Sequence, residues 1–430
     1  MLIAAAVAAA VLYGRTLHFG FDWDDYHFVR SYAPSDVAAA FTGTWDPHGI
    51  EAPFYRPATI ALFATRGWIL SSLPPEGGSH AKPVAPSSLP PEGGSHADAL
   101  GAAGGSHPDA VAPEGGSHAD AVAPEGGSDA NAVALHALSL VMLVAAAAAC
   151  AWWLRSLELR ASAVLLGTIA FVAHPMIAPA AAWITNQMHL LQLIAVAAAM
   201  ALTSRVRWYW LIPLQAAALL IKEDSLVLPV AMAACWWAQR RPVPRGWIAA
   251  SAVLTLVYVA VRTWALHGFG GYEPGAAEML KNAGRAPFYA LLVFPFNGGV
   301  WLVVPIVVML VHALRRSAGD RRLFLMAILF FVFDAPLAFS SGPTRWHLLV
   351  LPVAGALAVS SDALRTTRWA LPLGAMLVAG FAAAGWTVTN RWKPCSPEVR
   401  LHDARAATWG EAVDPALRLE LRAKARTCGK

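Results

Sequence analysis

The sequence predicts an all-α polytopic membrane protein with about eleven transmembrane helices and a large first outer loop, and three observations carry that expectation. Of the 430 residues, 57% are hydrophobic and only 14% are charged, against about 25% charged in a soluble domain. The mean hydropathy is +0.49. Apolar runs approaching the ~20 residues that cross a bilayer's hydrocarbon recur along the chain, bounded at nearly every end by Arg, Pro or a polar cluster. Finally, the basic residues of the short connections fall on alternate turns. Such a chain is one membrane domain rather than several soluble ones, and its partner of first resort is the lipid bilayer. A net charge of +5 calls for no nucleic acid, because basic residues here set orientation.

The expected spans lie near 2–18, 132–154, 161–178, 180–203, 208–221, 225–238, 246–264, 289–312, 323–340, 346–361 and 369–388. Several are short, which a thin or deformed bilayer accommodates. Arg155/Arg160, Arg205/Arg207, Arg240/Arg241/Arg245, Arg315/Arg316/Arg321/Arg322 and Arg365/Arg368 mark the cytoplasmic turns. The opposite turns carry Asp24/Asp25, His174, Lys222 to Asp224, residues 265–288 and Arg345. Polar groups without a topological task therefore gather on the outer side. The first segment has no basic residues ahead of it and no convincing small-residue cleavage site, so it reads as an uncleaved span. Residues 1–388 form the membrane domain and 389–430 a short outer tail, in which Cys395 and Cys428 are placed to form a disulfide.

Within the outer loop, 19–131, residues 71–131 repeat a GGSH unit, at 77–80, 93–96, 104–107 and 115–118, closing on GGSD at 126–129. Gly-Gly alternating with Pro and small residues can neither sustain a helix nor bury a core, so the insertion is expected to be a disordered spacer. Its regular His80, His96, His107 and His118 are metal-competent residue types without fixed geometry.

Five places could carry chemistry. Asp22, Asp24 and Asp25 lie among aromatics at a membrane boundary, where mutual repulsion raises one carboxyl's pKa for general-base work or the pair holds a divalent cation. Arg56 precedes Pro57, which suits the first turn of a helix, and leaves a guanidinium at the interface to snorkel or bind phosphate. His174-Pro175 is followed by Asn186, Gln187 and His189 a turn or two into a span, where polar groups face a cavity or another helix. Lys222, Glu223 and Asp224 sit between two apolar runs with no room for a long loop. Arg345 opens a span with the forked donors that fit a phosphate. Carboxylates to deprotonate an acceptor hydroxyl and cations to hold a lipid phosphate are the minimum kit for glycosyl transfer from a lipid carrier. No Gly-rich phosphate loop accompanies them.

Taken in order, these motifs resemble the multi-span GT-C glycosyltransferases, specifically the O-mannosyltransferase-like family whose eukaryotic members append tetratricopeptide repeats. Asp24-Asp25 is similar to the family's first-loop acidic pair, and Tyr55-Arg56-Pro57 to its Tyr-Arg-Pro. His174-Pro175 with Ala182-Trp183-Ile184 is similar to its His-Pro and Ala-Trp-Ile block, Lys222-Glu223 to its Lys-Glu, and Arg345 with Leu349 to Pro352 to its Arg-Tyr-Leu-Tyr-Leu-Pro block. The resemblance implies a polyprenyl-phosphate-linked sugar donor, mannose among the candidates, a protein or glycan acceptor, and inverting transfer at the periplasmic face of the inner membrane. It implies Asp24, with Asp25 beside it, as base or acceptor-positioning group. Arg56, Lys222 with Glu223, and Arg345 are implied around the donor phosphate, and His174 in the cavity lining. No cofactor is assigned, although a divalent cation is compatible. The stretch Met176 to Ala182 lacks the family's usual acid, and no 34-residue repeat follows the last span. A lipid-linked-glycan transporter or flippase would also need interfacial cations and a polar cavity, and an inactive scaffold would use the expanded loop to bind partners.

Overall fold

A computed structural model of the chain describes residues 1–19, 25–28, 32–44, 54–72, 129–268, 311, 313–315, 320–336, 347–364, 366–367 and 370–391. Asp24, Arg345, the GGSH insertion up to residue 128, residues 289–310 of the expected span 289–312, Cys395 and Cys428 lie outside these residues.

Among the described residues every regular element is helical. The main helices are α1 (Leu2–Tyr13), α2 (Asp25–Phe28), α3 (Pro34–Ala39), α4 (Pro57–Ser72), α5 (Asp129–Ser156), α6 (Ala161–Ala173), α7 (Ala178–Ala182), α8 (Gln187–Leu202), α9 (Leu211–Ile221), α10 (Leu228–Ala238), α11 (Arg245–Ala265), α12 (Arg321–Asp334), α13 (Val350–Ala363) and α14 (Ala370–Arg391). Among the described residues, four stretches are long and apolar enough to cross a membrane: 132–156, 184–202, 245–265 and 372–390. A fifth forms if α6 and the segment 175–182, bent from it by 50°, count as one span. Shorter apolar helices cover 2–18, 208–221 and 347–363.

Burial orders these helices. In the 184–202 stretch 83% of the apolar window is buried by the protein, against 17% in 245–265, so α8 is central and α11 turns most of its surface outward. α8 packs on α5, and α5 on α6. Small side chains permit the approach: Ala146, Ala147 and Ala149 of α5 and Ala195, Ala197 and Ala199 of α8 are all buried. α6 meets α13 through Gly167, where an added Cβ would lie 2.8 Å from Ala358 Cβ and Leu154 Cδ1 and 3.0 Å from the Ala354 carbonyl. Backbone and Cβ atoms cannot move aside as a flexible side-chain end can. Gly167→Val is therefore expected to destabilise the protein by about 1–3 kcal/mol, read as a lower thermal midpoint in detergent. Gly14→Ala is the matched control, because nothing lies within 4 Å of its added Cβ.

The boundary between the third and fourth expected spans differs from the sequence reading, and proline is the reason. Pro175 excludes His174 from helical backbone, leaving it extended at φ −61°, ψ 130°, so α6 ends at Ala173 rather than near 178. The Val172 carbonyl then accepts from the Tyr13 hydroxyl at 2.9 Å, which also ties α1 to this joint. A second break follows at Trp183, extended at φ −108°, ψ 115°, before the 3₁₀ turn 184–186 feeds α8.

Contacts between turns define two ends. At one, Arg160 pairs with Asp362 at 2.8 Å, Arg241 donates to the Ser204 carbonyl at 2.6 Å and Arg321 to the Trp237 carbonyl at 3.2 Å. This end gathers the basic turns. At the other, Arg15 donates to Asn390 Oδ1 and the Trp386 carbonyl, at 2.5 and 2.6 Å, and lies over the Trp386 ring, locking α1 to α14. This second end carries the acidic and polar segments.

Candidate functional site

The site is built where three irregular segments of the polar end face one another: the acidic loop at α2, the turn 183–187, and the turn 222–227. Asp25 is fully buried and accepts from the Thr185 backbone N–H and hydroxyl, both at 2.7 Å. The break at Trp183 opens a helix start whose first N–H groups lack intrahelical partners, and Asp25 supplies one from 160 residues away. Arg66 of α4, 3% exposed, completes the join. It donates to the Phe28 carbonyl at 3.1 Å, the Gln187 side-chain oxygen at 3.2 Å and the Ile184 carbonyl at 3.4 Å, while stacking over Phe63. Its charge faces Asp25 electrostatically.

The second half of the site is ionic. Arg56 precedes α4, whose first residue is Pro57 as the sequence predicts, and its guanidinium is 3% exposed. It makes a two-pronged pair with Glu223, Nε to Oε2 at 2.8 Å and Nη2 to Oε1 at 2.5 Å, with the Phe54 ring beneath it at 4.1 Å. Burial pushes the Glu223 carboxyl up, but the Arg56 charge and its hydrogen bond, with Lys222 nearby, more than reverse this and hold it well below the ordinary carboxylate range. Lys222 is buried at 1% exposure and pairs with Asp224. The Thr59 hydroxyl donates to the Ile221 carbonyl at 2.8 Å, so α4 is fastened to the end of α9 by neutral as well as charged bonds.

Tyr55 and Tyr258 close one side of this ionic group with ring centroids 6.0 Å apart, and the Tyr55 hydroxyl donates to the Phe41 carbonyl. Tyr258 is 5% exposed, its hydroxyl has no hydrogen-bond partner among the described residues, and Glu223, Arg262 and Arg56 all act on it electrostatically.

A buried polar chain runs beside both halves. His347 Nε2 meets Gln192 Oε1 at 2.6 Å, Gln192 Nε2 donates to Ser225 Oγ at 2.9 Å, and the His347 ring stacks on His189 at 4.0 Å with 9° between planes. The other polar residues of the fourth span are answered by interhelical bonds. Gln187 donates to the Leu135 carbonyl and Ser139, and Asn186 to the Pro179 carbonyl. His174 is seated in the α6 joint, where Nδ1 accepts from the Met176 N–H and the ring packs on Phe381 of α14.

Of the residues singled out in the sequence, Asp25, Arg56, Lys222 and Glu223 thus stand at one end and in paired form, whereas Asp24 and Arg345 lie outside the described residues. Arg66, Gln192 and Arg262 were not singled out. Each is a polar or charged residue within a largely apolar helix, the signal that marks a functional position in a membrane. Among the described residues no group of three or more His, Cys, Asp or Glu is placed to hold a metal. Comparisons of the chain with models of protein families, with curated proteins and with solved structures each find no match.

Proposed function

We propose that this chain is an integral membrane glycosyltransferase of GT-C type with about eleven spans, which moves a sugar from a polyprenyl-phosphate donor to a protein or glycan acceptor at the periplasmic face. The observation that carries this reading is the convergence of acids and cations from separate parts of the chain at the end of the bundle opposite the basic turns. Residue 25 meets residue 185, and residue 56 meets residue 223. Burying so many charges in a lipid-solvated bundle is costly, and a site that must bind a phosphate and activate a hydroxyl is what such an arrangement serves.

Within this reading the base is Asp24. Its neighbour Asp25 is fully buried, with its carboxylate engaged by the Thr185 backbone N–H and hydroxyl and facing the charge of Arg66, so it is not presented to an acceptor. Asp25 is then a positioning residue that fixes the acidic loop to the turn 183–187. Arg56 and Lys222, held by Glu223 and Asp224, set a field that stabilises the leaving phosphate without moving during reaction.

The test is transfer of radiolabelled sugar from a panel of polyprenyl-phosphate sugars into membrane glycoconjugates, comparing wild type with Asp24→Asn at matched protein levels. Incorporation in the wild type that drops by about 10²–10⁴-fold in the variant supports the enzyme and its base. Equal incorporation by both removes Asp24 from the mechanism, and no incorporation from any donor retires the glycosyltransferase reading.

A further inference from the structure

Among the described residues, the ionic group around Glu223 holds three cations, Arg56, Lys222 and Arg262, and its ion pairs are selective: Glu223 takes Arg56 and Asp224 takes Lys222, and no described carboxylate pairs with Arg262. Arg262 lies in the last turn of α11, four residues after Tyr258 and hence on the same face. Among the described residues its buried Nε meets no hydrogen-bond partner, and neither does the buried Tyr258 hydroxyl. Two donors that need an acceptor therefore stand together beside the ionic group.

A bland account is that Arg262 snorkels toward water, as cations at span ends do. That leaves the whole guanidinium solvated, whereas the Arg262 Nε is shut away from water. A second bland account is that it serves the open carbonyls at the end of α11. Those at Arg262 and Trp264 instead receive the Leu266 backbone N–H. Nor does positive-inside orientation explain it, because Arg245 marks the basic end of the same helix and Arg262 sits at the opposite one.

We propose that Arg262 and Tyr258 form an anion site for the phosphate ester of a lipid. The forked guanidinium matches two phosphate oxygens, and a phosphate oxygen supplies the acceptor that the Tyr258 hydroxyl lacks. The position, on the last turn of a helix that turns most of its surface outward, is within reach of a molecule that arrives through the bilayer. The phosphate belongs either to a polyprenyl-phosphate donor, an assignment that rests on the function proposed above, or to an ordinary phospholipid headgroup.

The full chain in phosphatidylcholine nanodiscs is to be titrated with a polyprenyl monophosphate, with phosphatidylglycerol and with inorganic phosphate, and retained ligand counted by native mass spectrometry. The wild type is expected to retain polyprenyl monophosphate, and Arg262→Gln to bind it about tenfold more weakly or worse, the loss of one charge-assisted hydrogen bond. Tyr258→Phe is expected to weaken it by a smaller factor, and Arg262→Lys to restore part of the loss. Thermal midpoints matching wild type establish that the variants are folded. Tyr258→Phe should not lower the midpoint, because the hydroxyl it removes has no partner to lose. Phosphatidylglycerol retained as well as polyprenyl monophosphate, with the same dependence on Arg262, supports the phosphate site with a headgroup as its source. Lipid retained equally by wild type and Arg262→Gln overturns it. The two readings fail separately: Arg262-dependent binding with no sugar transfer from any donor keeps the site and removes the enzyme, while transfer that proceeds with Arg262→Gln binding as wild type does the reverse.

Discussion

Replacing Glu223 with Leu is expected to lower stability by about 3–5 kcal/mol, because it removes the carboxylate that makes a two-pronged pair with Arg56, a cation with 3% exposure. Arg56→Met should cost a similar amount by stranding Glu223. The pair cannot be separated from its surroundings by single replacements, since each measures the cost of an orphaned charge rather than the worth of the bond. Replacing both residues together removes that cost, and the double variant is expected to lie within about 1 kcal/mol of wild type or above it. Thermal unfolding of all four proteins in one lipid or detergent closes the cycle. Additive losses in the double variant would show that Arg56 and Glu223 act independently.

The same pair sets an acid limit. The folded-state pKa of Glu223 lies below its unfolded value near ~4.3, chiefly because the Arg56 charge and hydrogen bond outweigh burial. A depressed carboxylate contributes stability that is fully present above the unfolded pKa and is lost as pH falls through the folded one. Wild type therefore keeps this contribution from neutral pH down to about pH 4 and loses it only in stronger acid. The Arg56→Met/Glu223→Leu double variant should lack that part of the acid dependence.

Helix positions were legible because apolar runs end sharply at Arg and Pro. The expected spans 208–221 and 246–264 meet helical segments 208–221 and 245–265, and Pro57 opens α4 as its residue type requires. Alternation of the basic turns was legible for the same reason, and the contacts Arg160–Asp362 and Arg241–Ser204 bring such turns to one end. The Trp183 break was not. Nothing in Trp-Ile-Thr forces an extended residue, and the break persists because Asp25 caps it from a distant loop. Pairing of charges was hidden likewise. Arg56 read as a free cation because its partner is settled by packing, not by spacing, Glu223 being 167 residues away, whereas Lys222 pairs with Asp224 two residues along the same charged turn. Arg262, which pairs with no described carboxylate, is not distinguished by sequence position alone from a snorkelling residue.

The acidic loop separates positioning from chemistry, and adjacent residues make the comparison sharp. Asp25→Asn keeps the volume of the side chain but removes the negative charge facing Arg66, a cation with 3% exposure. Because an Asn amide can keep its oxygen toward Thr185, the hydrogen bonds can survive where the charge does not. The expected result is a loss of about 3 kcal/mol or more, together with reduced sugar transfer as the loop comes away from the turn 183–187. Thr185→Val should reproduce part of the stability loss while leaving the Asp25 charge in place, since it removes the hydroxyl donor at 2.7 Å but not the backbone one. For Asp24→Asn, transfer should fall by about 10²–10⁴-fold with the thermal midpoint unchanged. Unfolding and transfer measured on the same preparations decide the matter: a group that positions moves both quantities, whereas a base moves only the second. Should Asp25→Asn abolish transfer at an unaltered midpoint, the assignment reverses, and Asp25 becomes the residue that meets the acceptor.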